Sequence, residues 1–170
     1  MILDTRDPEV FAKGFIPGSV NIGIDGSFAT WVGTVIPDVK QKIILVSEPG
    51  REKEVVTRMA RVGYDHALGF LKGGFPAWKA SGKLFDTIVS VDPGDVAVHS
   101  ELKIVDVRKR SEYDGEHPVE AVNAPLDYIE ESKKLIDKNS EVYIHCQAGY
   151  RSMIFVSYLR REGYLHLINV

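Results

Sequence analysis

The chain repeats itself. Asp4-Thr5-Arg6, Phe11 and Ser19-Val20-Asn21 recur in the same order as Asp106-Val107-Arg108, Tyr113 and Ala121-Val122-Asn123, each 102 residues on and without a gap. Farther along, Ile43-Ile44-Leu45-Val46 aligns with Val142-Tyr143-Ile144-His145, and Arg61-Val62-Gly63-Tyr64 with Arg161-Glu162-Gly163-Tyr164, the offset having drifted to 99 or 100. Matching residues in one order over most of each half mean two copies of one folding unit. Whatever one half folds into, the other must be able to fold into as well.

Each copy reads as α/β. Ile43 to Val46 and Val142 to Ile144 are short apolar runs rich in β-branched residues, the mark of buried strands. Each leads through a glycine-containing turn into a stretch of helical length. In the second copy Ile154, Val156, Tyr158 and Leu159 are apolar, Arg160, Arg161 and Glu162 are not, and Gly163 closes the helix. Leu167 to Val170 reads as the next strand. Strands alternating with helices predict, in each copy, a parallel sheet with helices on both faces. The join falls near residues 83 to 90, giving units 1–84 and 85–170. A helix over about 75–81 ends the first unit. Ile88 to Val91 is expected to form the first strand of the second, followed by a helix opened by Pro93-Gly94 and reaching about residue 98. The first unit lacks the early strand and helix that the second has. The second stops where the first continues through Gly73-Gly74 to Trp78. The expectation is a first unit incomplete at its N-terminus, a second incomplete at its C-terminus, and a chain that is a fragment.

The composition narrows the chemistry. The 170 residues are 44% hydrophobic and 26% charged, as in a globular chain. A net charge of -3 offers no basic face for nucleic acid. No apolar run approaches the roughly 18 residues that a membrane helix needs. Met1 to Arg6 has no basic-then-apolar leader, so a cytoplasmic setting is expected. The five histidines show no metal-binding spacing, and no metal or cofactor is expected. Cys146 is the one cysteine, so there is no internal disulfide and any sulfur chemistry belongs to it.

Cys146 stands between a strand and a helix, in Ile144-His145-Cys146-Gln147-Ala148-Gly149-Tyr150-Arg151-Ser152. A loop there turns backbone N–H groups inward at the positive end of the helix dipole. Gly149 lets it curl, and Arg151 adds a full charge at the rim. Those features favour an anion at the loop centre and a thiolate nucleophile at Cys146. The bland alternative, a buried structural cysteine, fits a strand interior better than this strand end.

This segment, with Asp106-Val107-Arg108 and Glu112-Tyr113 before it, resembles the rhodanese (thiosulfate sulfurtransferase) family. The first copy extends the resemblance through Asp4-Thr5-Arg6, Ile16-Pro17-Gly18-Ser19-Val20-Asn21 and Gly73-Gly74 to Trp78. The resemblance implies two rhodanese-like units and a persulfide mechanism. Cys146 would take sulfane sulfur from thiosulfate or a persulfide and pass it to a thiol or cyanide acceptor. The N–H groups of Gln147, Ala148, Gly149, Tyr150, Arg151 and Ser152 would cradle the sulfur, with Arg151 holding the anionic part of the donor. Gly23 to Gly33 and Arg58 to Tyr64 resemble, more narrowly, the rhodanese repeats behind a metallo-β-lactamase-fold domain, in fusions that include persulfide dioxygenases. That likeness implies such a domain on the N-terminal side.

The first copy has Ser47 where the second has Cys146. Pro49 removes a backbone donor there, and Glu48 and Glu52 put negative charge where an anion would sit, so the first unit is expected to be inactive. Asp106 and Arg108 read as an ion pair bracing the loop, because the first copy keeps Asp4 and Arg6 without a nucleophile. His145 is expected to point away from Cys146 by strand alternation. Trp31 and Trp78 read as core, and Glu130 to Lys134 as a solvated helix face. Two rivals remain. One is a non-catalytic sulfur-delivery or binding module. The other is a cysteine phosphatase, whose H-C-x5-R loop is one residue longer than the stretch from Cys146 to Arg151 and needs an acid that no residue here supplies.

Overall fold

The computed structural model describes residues 1–97, 99 and 101–170 and divides into two compact units, Met1–Thr87 and Ile88–Val170. The division lies slightly C-terminal to the 84/85 boundary read from the sequence.

The first unit runs β1 (Ile2–Asp4), α1 (Pro8–Ala12), β2 (Ser19–Asn21), α2 (Phe28–Val35), β3 (Ile43–Val46), α3 (Glu52–Ala60), β4 (Ala67–Phe70) and α4 (Gly74–Ala80). The second runs α5 (Pro93–Ala97), β5 (Ile104–Asp106), α6 (Arg110–Gly115), β6 (Val122–Asn123), α7 (Ile129–Ser132), β7 (Val142–His145), α8 (Tyr150–Arg161) and β8 (Leu167–Asn169). Each unit forms one four-stranded parallel sheet, ordered β2-β1-β3-β4 and β6-β5-β7-β8.

That order places the functional end of each unit. From β5 the chain steps to one side, to β6, and then crosses to the other, to β7 and β8. Right-handed crossovers then put α6 on one face of the sheet and α7 and α8 on the other. The chain direction switches between β5 and β7, so the loops leaving those neighbouring strands part and open a crevice at their carboxyl ends. Asp106 ends β5, and Cys146 follows β7 directly. The register pairs Asp106 with His145.

Apolar alternation on the strands meets apolar helix faces to make each core. Leu3, Phe11, Val20, Phe28, Val32, Ile43, Leu45, Val55 and Met59 are buried in the first unit. Val107, Leu126, Ile144, Met153, Phe155, Val156 and Leu159 are buried in the second. At about 1.5–3 kcal/mol for each large apolar side chain removed from water, these layers dominate the stability of both units. No helix among the described residues is long and apolar enough to cross a membrane.

Three sequence expectations shift in detail. Ile88 to Val91 forms a single parallel bridge, Ser90 to Asn169, rather than a strand. Val91 donates to Asn169 and Asn169 to Val89, both at 2.9 Å. Then Pro93 starts α5 and has no N–H with which to continue a ladder. Val98, where that helix was expected to end, lies outside the described residues. Trp31 is core as expected, whereas Trp78 is only partly buried and donates its indole N–H to the Leu84 carbonyl at 2.8 Å. The Glu130–Lys134 stretch is a short helix running into a 3-10 turn, with Ser132 buried and bonded to the Pro125 carbonyl at 2.8 Å.

Candidate active site

The Asp-x-Arg motif of each unit forms the same brace. Arg108 donates its backbone N–H (2.9 Å) and its guanidinium (2.7–3.1 Å) to the Asp106 carboxylate, and Nη2 continues to the Glu116 carbonyl at 2.5 Å. In the first unit Arg6 does the same with Asp4, and its Nη2 reaches the Gly14 carbonyl at 2.9 Å. The asparagines of the repeat complete the brace. Asn123 Nδ2 donates to the carbonyls of Asp106 and Arg108, both at 3.0 Å, and Asn21 does so to Asp4 and Arg6. The repeat made these asparagines visible in the sequence, but their role as staples appears only in the structure.

Asp106 is fully buried. Burial pushes its carboxyl up, yet the neighbouring His145 and Arg108 outweigh that and hold it well below the usual carboxylate range. His145 Nδ1 lies 3.9 Å from Asp106 Oδ2. That nitrogen has no hydrogen-bond partner among the described residues.

Cys146 is 3% exposed, while Gln147 and Ala148 directly after it are exposed, so the sulfur lies beneath the loop. Sγ is 3.3 Å from Ser152 Oγ, and that hydroxyl lies 3.5 Å from the Val170 carbonyl. Gly149 caps α8 in the left-handed region, φ 73° and ψ -12°, which reverses the chain over the sulfur. Met153 N–H to the Gly149 carbonyl, 3.2 Å, is the first bond of the helix. The N–H groups of the first turn therefore have no intrahelical acceptor. The amides of Gln147, Ala148 and Gly149 likewise donate to no backbone carbonyl among the described residues. A buried sulfur beneath these loop amides, at a helix start, is an arrangement suited to holding negative charge.

Arg151 does not stand open at the rim. Nη1 and Nη2 donate to the two oxygens of Glu112, at 2.6 and 2.9 Å. Arg151 and Glu112 side chains are 16% and 33% exposed. Glu112, in α6, also accepts the Lys109 N–H at 3.2 Å. The Glu112 bond raises the Arg151 pKa against the opposing effect of burial, and the nearby charges of Glu112, Cys146 and Asp106 add to the rise. Arg151 in turn holds Glu112 below the usual carboxylate range. The sequence contained Glu112 but gave it no role. The signal lay in the repeat, where Val10 occupies its position.

The matching loop of the first unit is built differently. Ser47 is buried at the end of β3 as Cys146 is after β7. Gly50 repeats the left-handed turn, φ 88°. Arg51 N–H closes a turn onto the Glu48 carbonyl at 3.1 Å. The Arg51 side chain swings to Asp25 (2.7 Å) and Glu54 (3.0 Å). Pro49 has no donor, and Glu52 stands at the position of Arg151. Among the described residues no group of acids, histidines and cysteine is gathered so as to hold a metal ion.

A rhodanese-like domain model matches twice, at residues 1–81 and 93–170. The chain is 36% identical over 67 residues to thiosulfate sulfurtransferase PspE of Escherichia coli (strain K12), a stretch covering 38% of this chain and 64% of that one. It is 35% identical over 69 residues to YrkF of Bacillus subtilis (strain 168), named as a candidate sulfur carrier protein, covering 41% of this chain and 37% of that one. The chain thus spans less than two thirds of the length of these relatives. A crystal structure of thiosulfate sulfurtransferase from Pseudomonas aeruginosa superposes with a TM-score of 0.43 at 17% identity, over 98% of this chain and 36% of that one.

Proposed function

Because this chain belongs to the rhodanese-like family, and because Cys146 lies where its geometry favours an anion, we propose that it is a sulfurtransferase whose sulfur carrier is Cys146. The Cys146 thiolate attacks the outer sulfur of thiosulfate or of a persulfide. A sulfur–sulfur bond forms at Cys146, the donor's sulfur–sulfur bond breaks, and its electron pair leaves with sulfite or with a thiolate. The terminal sulfur, now anionic on Cys146, rests under the amides of residues 147–152 until a thiol or cyanide acceptor attacks it. The observation that carries this reading is the buried Cys146 sulfur beneath the amides of Gln147, Ala148 and Gly149, which donate to no backbone carbonyl among the described residues.

Asp106, Arg108 and Asn123 keep the neighbouring strand end fixed and do no chemistry, since the first unit holds the same brace without a cysteine. The first unit is a scaffold repeat without sulfur chemistry. The narrower likeness to repeats that follow a metallo-β-lactamase-fold domain makes a fused partner domain part of this proposal, and the coding sequence upstream of Met1 tests it.

The function is tested by intact mass of the full chain after incubation with thiosulfate or with a thiol persulfide. A gain of about 32 Da, one sulfur on the cysteine, is expected, to be discharged by cyanide and absent from Cys146→Ser. Loading without discharge to any acceptor would point instead to sulfur carriage without turnover. No gain with any donor would defeat the proposal.

A further inference from the structure

We propose that Glu112 is a positioning residue that holds Arg151 and biases the Cys146 site toward thiol persulfides and away from dianionic donors such as thiosulfate. This inference rests on the reading of Cys146 as the sulfur-accepting nucleophile.

Three observations carry it. The first is the two-bond fork between Arg151 and Glu112, at 2.6 and 2.9 Å. Glu112 takes one hydrogen from each terminal nitrogen, so the guanidinium plane is fixed while Nε–H and the outer hydrogens remain for a substrate. The second is charge. Arg108 is paired to Asp106 and Arg151 to Glu112, so each cation beside Cys146 is matched by its own carboxylate. A donor entering here meets amide dipoles and oriented N–H groups, and these two arginines offer it no surplus positive charge. Thiosulfate arrives with two negative charges and releases sulfite with two. A simple alkyl persulfide arrives with at most one and releases a thiolate. The third is the internal comparison. Where the second unit has Glu112 and Arg151, the first has Val10 and Glu52. Both members of the pair are missing from the unit that lacks the cysteine, while the Asp-x-Arg-Asn brace is present in both. A pair needed only for folding would be expected in both units, as the brace is.

In the step itself, the Cys146 thiolate forms a bond to the outer sulfur of the persulfide, the old sulfur–sulfur bond breaks, and the electron pair departs on the donor's thiolate. Arg151, held by Glu112, offers its remaining N–H groups to the sulfur that develops charge.

The test uses the full chain and single-turnover loading of Cys146, followed by intact mass, with thiosulfate and with 2-hydroxyethyl persulfide generated in solution. The wild-type protein should load faster from the alkyl persulfide. Glu112→Gln leaves a similar shape without the charge and should raise the thiosulfate rate constant relative to the persulfide one by at least about fivefold, one fewer charge repelling the dianion. Arg151→Lys keeps the cation but cannot form the fork and should slow both donors. Equal loss with both donors in Glu112→Gln, leaving their ratio unchanged, would reduce Glu112 to a structural contact and overturn the proposal. So would a wild-type preference for thiosulfate. Salt dependence supplies a measure that needs no variant. With the cation matched, thiosulfate loading should fall less than about twofold up to 0.5 M salt, whereas a steep fall would reveal an open cation. Failure of the underlying reading looks different: no adduct forms on wild-type Cys146 from either donor, and this proposal goes with it.

Discussion

Gly149→Ala separates backbone strain from steric crowding at the loop. Gly149 has φ 73° and ψ -12°. A methyl group added there would meet nothing nearer than Asn169 Nδ2, at 4.0 Å, an ordinary contact. The substitution therefore introduces no clash, and its whole cost is that of placing a Cβ in the left-handed region, about 1–2 kcal/mol. If the loop keeps its shape, the protein loses that much stability and Cys146 loads sulfur at the normal rate. If the loop relaxes instead, the amides leave their positions above the sulfur and the same energy appears in the barrier, a slowing of about 5- to 30-fold.

The first unit contains the control. Gly50 has φ 88°, and a Cβ there would meet nothing within 4 Å. Gly50→Ala should cost the same 1–2 kcal/mol or so and leave loading at Cys146 untouched. Urea titration of the full chain reads stability, and timed intact mass reads loading. Gly149→Asn, which tolerates this region better, should recover part of either loss. The reasoning fails if Gly149→Ala matches wild type in both stability and loading. It also fails if Gly50→Ala slows loading as much as Gly149→Ala does.

Two further outcomes follow from the same structure. Ser47→Cys combined with Cys146→Ser should yield no persulfide by intact mass, because Pro49 lacks a donor, the Arg51 N–H is already bonded to Glu48, and Glu52 repels an anion; an adduct at position 47 would contradict this. Asp106→Asn should cost on the order of 1.5–3 kcal/mol at neutral pH, the value of hydrogen bonds to a charged partner. Since the folded Asp106 pKa is depressed, its contribution is complete above the unfolded value of about 3.9 and is lost as pH falls below it. The stability gap between wild type and Asp106→Asn should therefore shrink on acidification below about pH 4, and a gap that stays constant or widens would refute the assignment.

Much of the fold was legible because the chain states it twice. The β3 and β7 runs and the helices after them follow from apolar periodicity, and the repeat raised weak local signals into a consistent pair. The weaker element was Ile88 to Val91, whose apolar residues resemble a strand but which meets β8 (Leu167–Asn169) only at Asn169 before Pro93 begins a helix. Sequence alone does not show how many partners a strand will find. At the site, the order strand, cysteine, glycine, helix was enough to locate the Cys146 loop. What it could not show was the side-chain partner of Arg151. Glu112 lies 39 residues away, on a helix whose position beside the loop depends on the crossover from β5 to β6. An arginine in a motif looks like a free charge until the fold supplies its neighbour.

The two units also separate scaffold from chemistry within one chain. Asp4, Arg6 and Asn21 reproduce the bonds of Asp106, Arg108 and Asn123 nearly atom for atom. Those bonds satisfy a buried carboxylate and the backbone carbonyls of a strand end, needs that any such unit has whether or not it reacts. The Cys146 loop has no such constraint. The amides of Gln147, Ala148 and Gly149 donate to no backbone carbonyl among the described residues, a condition that costs stability unless water or a bound anion meets them. In the first unit that condition is relieved: a proline removes one donor, and acidic residues surround the place of the cysteine. A loop released from holding an anion is expected to lose donors and gain negative charge in this way. The open loop of the second unit is therefore best explained by a group that the protein itself does not supply, and a sulfur carried on Cys146 has the charge and the place to be that group.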